Sequence, residues 1–130
     1  MKQDFLEQIA NDAVLIPTLQ DIERYCEMRE DYLERCVKLP AMNRCQIALL
    51  VCAYGFEIPI EHLTAPGRGT HDMAETRQKL MAFSRIVSLG TPKLNTWKGI
   101  GRAFMRRHST VIHATQKYGA QIAAALEVAQ

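Results

Sequence analysis

The sequence predicts an all-α fold, and three observations support this prediction. Hydrophobic residues recur at spacings of three and four along most of the 130 positions, whereas the alternation of a half-buried strand is nearly absent. Prolines and glycines divide the chain into segments of helical length. Because 48% of the residues are apolar, the chain is able to bury a core. We therefore expect a helical bundle in one compact domain, alone or with a small appendage.

Three helices are expected in the first part of the chain. One covers about residues 2 to 13, and a second covers about residues 18 to 37 and has one apolar and one heavily charged face. Pro40 ends the second helix. A third, from about 41 to 54, is apolar almost all round, as expected of a central core helix, and Gly55 is placed to terminate it. The buried stripe of the first helix consists of Phe5, Leu6, Ile9 and Ala10.

The second part of the chain begins with a long connection. The segment FEIPIEHLTAPGRGTH, residues 56 to 71, contains two prolines and two glycines and is expected to be irregular. A helix should follow from about 72 to 89, and a shorter one from 95 or 96 to 104. After a turn of about three residues a last long helix begins, with His108 or Ser109 as its N-cap. Two helices separated by so short a turn form a helix-turn-helix arrangement.

Charge is distributed unevenly along the chain. Residues 1 to 41 contain nine acidic and five basic residues, whereas residues 42 to 130 contain five acidic and eleven basic residues. No acidic residue occurs between Glu75 and Glu127, although nine Lys and Arg residues do. A surface of one sign attracts polyanions, and nucleic acid is a common polyanion. We therefore expect two parts, an acidic N-terminal helical extension over residues 1–41 and a basic helix-turn-helix domain over residues 42–130.

The sequence does not favour an enzyme. Cys45 and Cys52 lie in the most apolar segment, where a thiol is inert, and the four cysteines show no CxxC spacing. His108 and His113 are five residues apart, so they do not share the helical face that two metal ligands need. No GxxxxGK[ST] motif for a nucleotide phosphate occurs either. We expect no catalysis, no cofactor and no metal.

Nothing in the sequence indicates a membrane protein. The longest apolar run, Ile47 to Tyr54, is far shorter than the roughly 20 residues that span a bilayer. The first residues do not resemble a secretory signal peptide. We expect a cytoplasmic protein.

The last predicted helix has two different faces. The packing face consists of Val111, Ala114, Thr115 and Tyr118, and the free face consists of Ser109, Thr110, His113, Gln116 and Lys117. Four cations of the preceding helix and the turn should surround the free face: Lys98, Arg102, Arg106 and Arg107. In the DNA major groove, hydroxyls and imidazoles reach base edges, while Arg and Lys hold phosphates. Double-stranded DNA is therefore the predicted partner.

The segment GIGRAFMRRHSTVIHA, residues 99 to 114, resembles a known family. It is similar to the C-terminal DNA-binding domain of the bacterial replication initiator DnaA, whose signature is approximately IGRAFGGRDHSTVIHA. VCAYGFEIPIEHLT and TRQKLMAFSRIVSL resemble further parts of that domain, so the resemblance covers about residues 43 to 122. It implies a helical bundle that contains a helix-turn-helix and binds duplex DNA without a metal. It also implies contacts to bases or phosphates from Arg106, Arg107, His108, Ser109 and Thr110.

Three departures from the family pattern change what the resemblance implies. Met105-Arg106-Arg107 stands where the family has Gly-Gly-Arg-Asp, so this chain is one residue shorter and has arginine in place of aspartate. Because arginine donates to guanine whereas a carboxylate accepts from cytosine, we expect a different base preference. The basic cluster of the family's loop is reduced to Arg68, with His71 nearby, so minor-groove contact should be weaker. The ATPase module of the initiator is also missing.

We therefore expect sequence-selective binding of double-stranded DNA by a regulator of transcription or replication. One alternative remains open, a protein-interaction module that acts on replication or transcription proteins through the acidic N-terminal helices and retains the helix-turn-helix as a scaffold. For residues 1–41, packing on the bundle, a homodimer contact and a protein partner all remain open. The predicted DNA contacts are Lys98, Arg102, Arg106, Arg107, His108, Ser109, Thr110, His113, Lys117 and Arg68.

Overall fold

The computed structural model describes residues 17 to 128. This part of the chain contains helices and no strand, so the all-α prediction is confirmed for it. The helices are α1 (Leu19–Lys38), α2 (Arg44–Phe56), α3 (Ile60–Thr64), α4 (His71–Ile86), α5 (Trp97–Phe104) and α6 (His108–Val128). The helix predicted over residues 2 to 13 lies outside the described residues. None of the described helices is long and apolar enough to cross a membrane.

Side-chain caps determine where four of the helices begin. The Thr18 hydroxyl accepts the backbone N–H of Asp21 at 3.1 Å, and the Asp21 carboxylate accepts the backbone N–H of Thr18, which makes a capping box for α1. Asn43 caps α2, Thr70 caps α4 and Thr96 caps α5 in the same way. Each cap satisfies an N–H group that has no partner within its own helix.

The connection from 56 to 71 is less irregular than predicted, because it contains the short helix α3. Pro59 precedes α3 with a φ of −58°, and Leu63 is fully buried. A single helical turn with one anchoring side chain shows no periodicity, so the sequence pattern does not reveal it. The helix predicted over 72 to 89 ends earlier, at Ile86.

The core lies around α2. Ile47, Ala48, Val51 and Cys52 are completely buried, and they meet buried side chains from every other described helix. The longest helix, α6, packs along α4 and α5. Its buried side chains include Val111, Ala114 and Tyr118 of the predicted packing face, where Thr115 is half-buried, together with Ile122 and its neighbours toward the C-terminus.

The acidic helix α1 shares this core. Tyr25, Met28, Tyr32 and Cys36 form its inward face and are buried against α2 and α6. At its far side Arg29 Nη1 donates to the carbonyl of Leu126 at 3.3 Å. α1 therefore packs on the bundle. This is one of the three interpretations given above for the N-terminal residues.

A buried polar network connects α1 to the segment that leads into α5. Asn95 Nδ2 donates to Ser84 O at 2.8 Å and to Tyr32 Oη at 3.2 Å, and the Asn95 N–H donates to Ser88 Oγ at 2.9 Å. Arg85 Nη1 donates to Asn95 O at 2.8 Å. Because a buried polar group without a partner is costly, this network fixes Asn95, and with it the start of α5, relative to α1 and α4.

Alkaline pH should destabilise this fold through two buried tyrosines. Burial raises the pKa of Tyr32 to about 12, and burial likewise raises the pKa of Tyr25. In the unfolded chain a tyrosine ionises near about pH 10, so the unfolded state loses its protons first. The contribution of the two tyrosines to the free energy of unfolding should therefore be level below about pH 10 and fall as the pH rises toward 12. Burial also raises the pKa of the Cys26, Cys45 and Cys52 thiols, so they add a fall that begins at lower pH.

Urea unfolding across this pH range measures the fall. Tyr32→Phe should make the decline shallower because one of the ionising groups is removed. Tyr54→Phe, the same change at an exposed position, is the control for loss of a hydroxyl. A free energy of unfolding that stays level up to pH 12 would contradict the prediction.

Candidate nucleic-acid interface

The turn between α5 and α6 is closed by backbone hydrogen bonds. The Met105 N–H donates to Arg102 O at 3.2 Å, and the Arg106 N–H donates to Gly101 O at 2.7 Å. Met105 adopts the left-handed conformation, with a φ of 57°. This pair of bonds around one left-handed residue is the Schellman motif, which ends a helix and reverses the chain within a few residues. The predicted turn of about three residues is present, and α6 begins at His108.

Gly101 allows the turn to fold back onto α5. A Cβ at this position would lie 2.6 Å from Arg106 O and 3.3 Å from His108 N, which is too close for any side chain. The first residues of α6 therefore pack directly on the backbone of α5. The glycine determines the separation of the two helices, since a larger residue would push the turn outward.

The predicted DNA contacts lie on an open surface. Eight of the ten residues are exposed, and Arg106 and Thr110 are half-buried. On α6 the exposed His108, Ser109 and His113 lie opposite the buried packing face.

The hydrogen bonds from α1 to α6 lie far from the start of α6. They are accepted by Ala125 O and Leu126 O, and Leu126 is 18 residues beyond His108. At a rise of 1.5 Å per residue this separation is about 27 Å along the helix. The acidic segment that the structure describes is therefore bonded to the opposite end of α6.

The cations of this surface are not neutralised by neighbouring acids. Within residues 17 to 128, no ion pair or hydrogen bond to protein engages the side chains of Lys98, Arg102 or Arg107. The ion pairs between described residues lie on α1 and α4, and they are Arg35–Asp31, Lys38–Glu34, Lys79–Glu75 and His71–Glu75. Positive charge without internal partners is available to an anionic ligand.

Arg106 differs from the other cations because protein carbonyls surround it. Its Nη1 donates to Phe104 O and Met105 O at 3.3 and 3.0 Å, and its Nη2 donates to Ala65 O and Gly67 O at 2.8 and 3.0 Å. The prediction that Arg106 contacts DNA is not tested by this geometry. The geometry does place its guanidinium between the turn and the loop that follows α3.

Arg77 on α4 binds the same loop through hydrogen bonds. Its side chain is almost completely buried and donates to the carbonyls of His62, Leu63 and Arg68 at 3.1, 3.0 and 3.3 Å. Burial lowers the pKa of Arg77, and the nearby positive charge of Arg106 lowers it further. The sequence resemblance includes Arg77 but gave no reason to expect this role. The sequence feature that could have indicated this role is an arginine at a position of α4 where the pattern predicts a side chain facing the core.

A groove of about 590 Å³ opens between the loop, α4 and the turn, and we call it the loop groove. Arg68 and Arg107 line it together with Arg77 and Arg106, and Thr110 of α6 reaches its edge. Among the residues that the structure describes, no acid lines the groove. An anion that entered it would meet the positive charges of these arginines.

A second groove of about 350 Å³, here the α2–α5 groove, lies on the other side of α5 between the starts of α2 and α5. Its cations are Arg44, Lys93, Lys98 and Arg102, and it too has no acidic lining. Sequence reasoning did not select Arg44 and Lys93. Lys93 lies in the stretch between Glu75 and Glu127 that contains no acid. Arg44 is distant from that stretch in the sequence and lies near Lys93 only because α2 packs on α5. The start of a helix also carries partial positive charge.

Trp97 is held by packing within the protein. It is half-buried against the core, and the Arg85 guanidinium carbon lies 4.0 Å from the centroid of its ring. One face of the ring is therefore covered by a cation–π contact. Among the described residues no group of three His, Cys, Asp or Glu side chains is placed to hold a metal ion.

Comparison with known proteins gives several sequence relatives, among them the chromosomal replication initiator protein DnaA of Mycobacteroides abscessus. The sequence is 34% identical to that protein over an alignment of 95 residues that covers 69% of this chain. The chain spans 18% of the length of that protein. The chain is thus related in sequence to a part of an initiator. No family model and no solved structure matches it.

Gly101→Ala should destabilise the protein by roughly 1–3 kcal/mol, because the added Cβ overlaps backbone atoms of the turn. Gly119→Ala in α6 is the matched control. Its Cβ would meet the side chains of Thr115 at 3.1 Å and Ile86 at 3.5 Å, and alanine favours the helix by about 1 kcal/mol. Urea unfolding of both variants measures the difference. Equal stabilities would show that the close approach at Gly101 does not constrain the turn.

Proposed function

We propose that this chain binds double-stranded DNA selectively through α5, the turn and α6, and that it acts in the cytoplasm as a regulator of transcription or replication without enzymatic activity. The observation that carries the proposal is the exposed start of α6, with His108, Ser109 and His113, between two grooves that are lined by cations and have no acid. The identity with part of a chromosomal replication initiator supports it. The segments GIGRAF and HSTVIHA of this sequence resemble the DNA-binding domain of that family.

The dimensions of duplex DNA suit this arrangement. The major groove is about 12 Å wide and admits one α-helix. With the N-terminal part of α6 in the groove, Ser109, Thr110 and His113 would reach base edges. Arg102 and Lys98 would reach phosphates of the strands that border the groove.

The base preference should depend on the start of α6. Arg107 occupies the place before His108 where the family has an aspartate, and its guanidinium has no partner among the described residues. A guanidinium donates two hydrogen bonds to guanine O6 and N7. We therefore propose that the recognised DNA has a guanine at the position where the aspartate of the initiator family would accept a hydrogen bond from cytosine.

Binding should weaken steeply as salt is added. Each phosphate contact releases counterions and contributes about −0.9 to the slope of log K against log salt concentration. Four exposed cations are placed to contribute: Lys98, Arg102, Lys117 and Arg68. We expect a slope of roughly −3 to −4. Fluorescence anisotropy with a labelled duplex, selected from a random pool, measures it.

Two classes of variant should separate base reading from backbone binding. His108→Ala and Thr110→Ala should reduce the preference for the selected duplex over a scrambled one by about tenfold, and leave binding to the scrambled duplex nearly unchanged. Lys98→Ala and Lys117→Ala should weaken both duplexes alike and lower the salt slope by about one.

Lys38→Ala is the matched control for loss of a positive charge, because Lys38 is paired with Glu34 on α1 and lines neither groove. It should leave both affinities unchanged. If the variants of His108 and Lys98 change the two affinities in the same ratio, the proposed division between base and phosphate contacts is wrong. A slope near zero for the unaltered protein would reject DNA binding itself.

The outer face of α1 favours a second candidate function, a protein-interaction module. Val37 is 80% exposed and Leu33 is 44% exposed, and they lie one turn apart beside Glu30 and Glu34. Apolar side chains next to acids on an open helical face are common at contacts with other proteins. The partner in this case is either a second copy of the chain or a protein of the replication or transcription apparatus.

Sedimentation equilibrium tests the first of these partners. If the α1 face forms a homodimer, the mass should rise above 14.7 kDa with concentration, and the double change Leu33→Ser and Val37→Ser should abolish the rise without altering DNA affinity. A mass that remains monomeric at all concentrations would reject the homodimer.

A further inference from the structure

Arg106 connects two segments that are far apart in the sequence. Two of its acceptors, Phe104 O and Met105 O, belong to the α5–α6 turn, and the other two, Ala65 O and Gly67 O, belong to the loop after α3. The loop acceptors precede Arg106 by 41 and 39 residues. The guanidinium is therefore a bridge whose position depends on both segments being in place.

The bridge uses the geometry of a guanidinium. Its two terminal nitrogens carry four N–H groups in a fixed plane, and the four carbonyls engage those two nitrogens. A lysine ammonium has its three donors on a single atom and would not bridge acceptors on both sides. Lysine nevertheless carries the same charge and binds phosphate well. This difference makes Arg106→Lys a discriminating variant.

The loop is held from both sides. Arg77 binds the carbonyls of His62, Leu63 and Arg68, and Arg106 binds the intervening carbonyls of Ala65 and Gly67. Gly67 and Gly69 have φ angles of 82° and 71°, a backbone conformation that leaves the loop few alternatives while these bonds persist. The side chain of Arg68 is left exposed on the loop groove, opposite Arg107 of the turn.

We infer that Arg106 is a positioning residue that holds the loop against the turn, so that Arg68 reaches the DNA only when α6 is docked beside it. This inference rests on the proposed DNA binding and refines it, because Arg106 then acts through Arg68 and makes no contact of its own. A direct contact by Nη2 would require release of the loop carbonyls, and one by Nη1 would require release of the turn carbonyls. The loop and the start of α6 thus bind DNA as one unit.

A first experiment needs no DNA. Trypsin cleaves after Arg68 when the loop opens, and the exposed loop contains no other basic residue between Thr64 and Thr70. Arg106→Lys should speed this cleavage at least fivefold, because the carbonyl bridge is lost while the number of trypsin sites is unchanged. Arg107→Lys is the matched control and should be cleaved at the rate of the unaltered protein. Equal rates for the two variants would overturn the inference, provided that circular dichroism shows both to be folded.

A second experiment measures coupling in DNA binding. Arg68→Ala and Arg106→Lys should each lower affinity by about threefold to tenfold and each lower the salt slope by about one, since both remove the same phosphate contact. The double variant should be no more than about twofold weaker than either single variant. Arg68→Ala and Arg107→Ala serve as the reference pair, and their effects should multiply.

The results separate this inference from the proposed function. If the unaltered protein shows no salt-dependent binding to duplex DNA, the proposed function fails, and the trypsin cleavage still decides whether Arg106 holds the loop. If the protein binds DNA but Arg106→Lys retains full affinity, or its effect multiplies with that of Arg68→Ala, Arg106 contacts DNA by its charge and the positioning role is rejected.

Discussion

The hydrogen bond from the Arg106 N–H to Gly101 O, 2.7 Å long, is the contact on which the candidate interface depends. It closes the turn, brings the first residues of α6 onto the backbone of α5 and leaves no room for a side chain at Gly101. The same bond fixes the backbone of Arg106, from which the guanidinium extends to the loop. One short backbone contact thus determines the direction of α6, the place of Arg107 and the position of a loop about 40 residues earlier in the sequence.

Charge is arranged along the length of the bundle. The acids of α1 are bonded into local pairs or face outward, and α1 is joined to the C-terminal end of α6. Lys98, Arg102 and Arg107, which have no ion pair within residues 17 to 128, lie on α5 and at the other end of α6. Such a separation orients the molecule in the field of a polyanion before contact, because the cationic end is attracted and the acidic end is repelled. The net charge of +2 alone gives no indication of this.

Much of the fold was predictable from the sequence because it depends on local signals. Proline, glycine and cap residues gave the helical segments, and the short turn before His108 followed from spacing. Helix α3 was missed because five residues are too few to show a period. No local pattern predicts the hydrogen-bond partners of Arg77 and Arg106, because those partners lie on distant segments of the chain. The same holds for Arg44 and Lys93, which line one groove although they are far apart in the sequence. Charge composition suggested that residues up to 41 form an appendage, whereas the inward face of α1 could be recognised as core only from its packing.

The hydroxyl of Tyr32 on α1 is the partner of Asn95, and Asn95 directly precedes the cap of α5. A fragment that begins after α1 would leave that amide with Ser84 O as its one remaining acceptor among the described residues, and it would uncover an apolar trough in α2 and α6. Truncation is thus a poor way to ask what the N-terminal helix contributes. Substitutions of its inward side chains would instead change how tightly α5 and α6 are held against the bundle. If the proposed DNA binding holds, such substitutions would alter selectivity from positions that do not contact DNA.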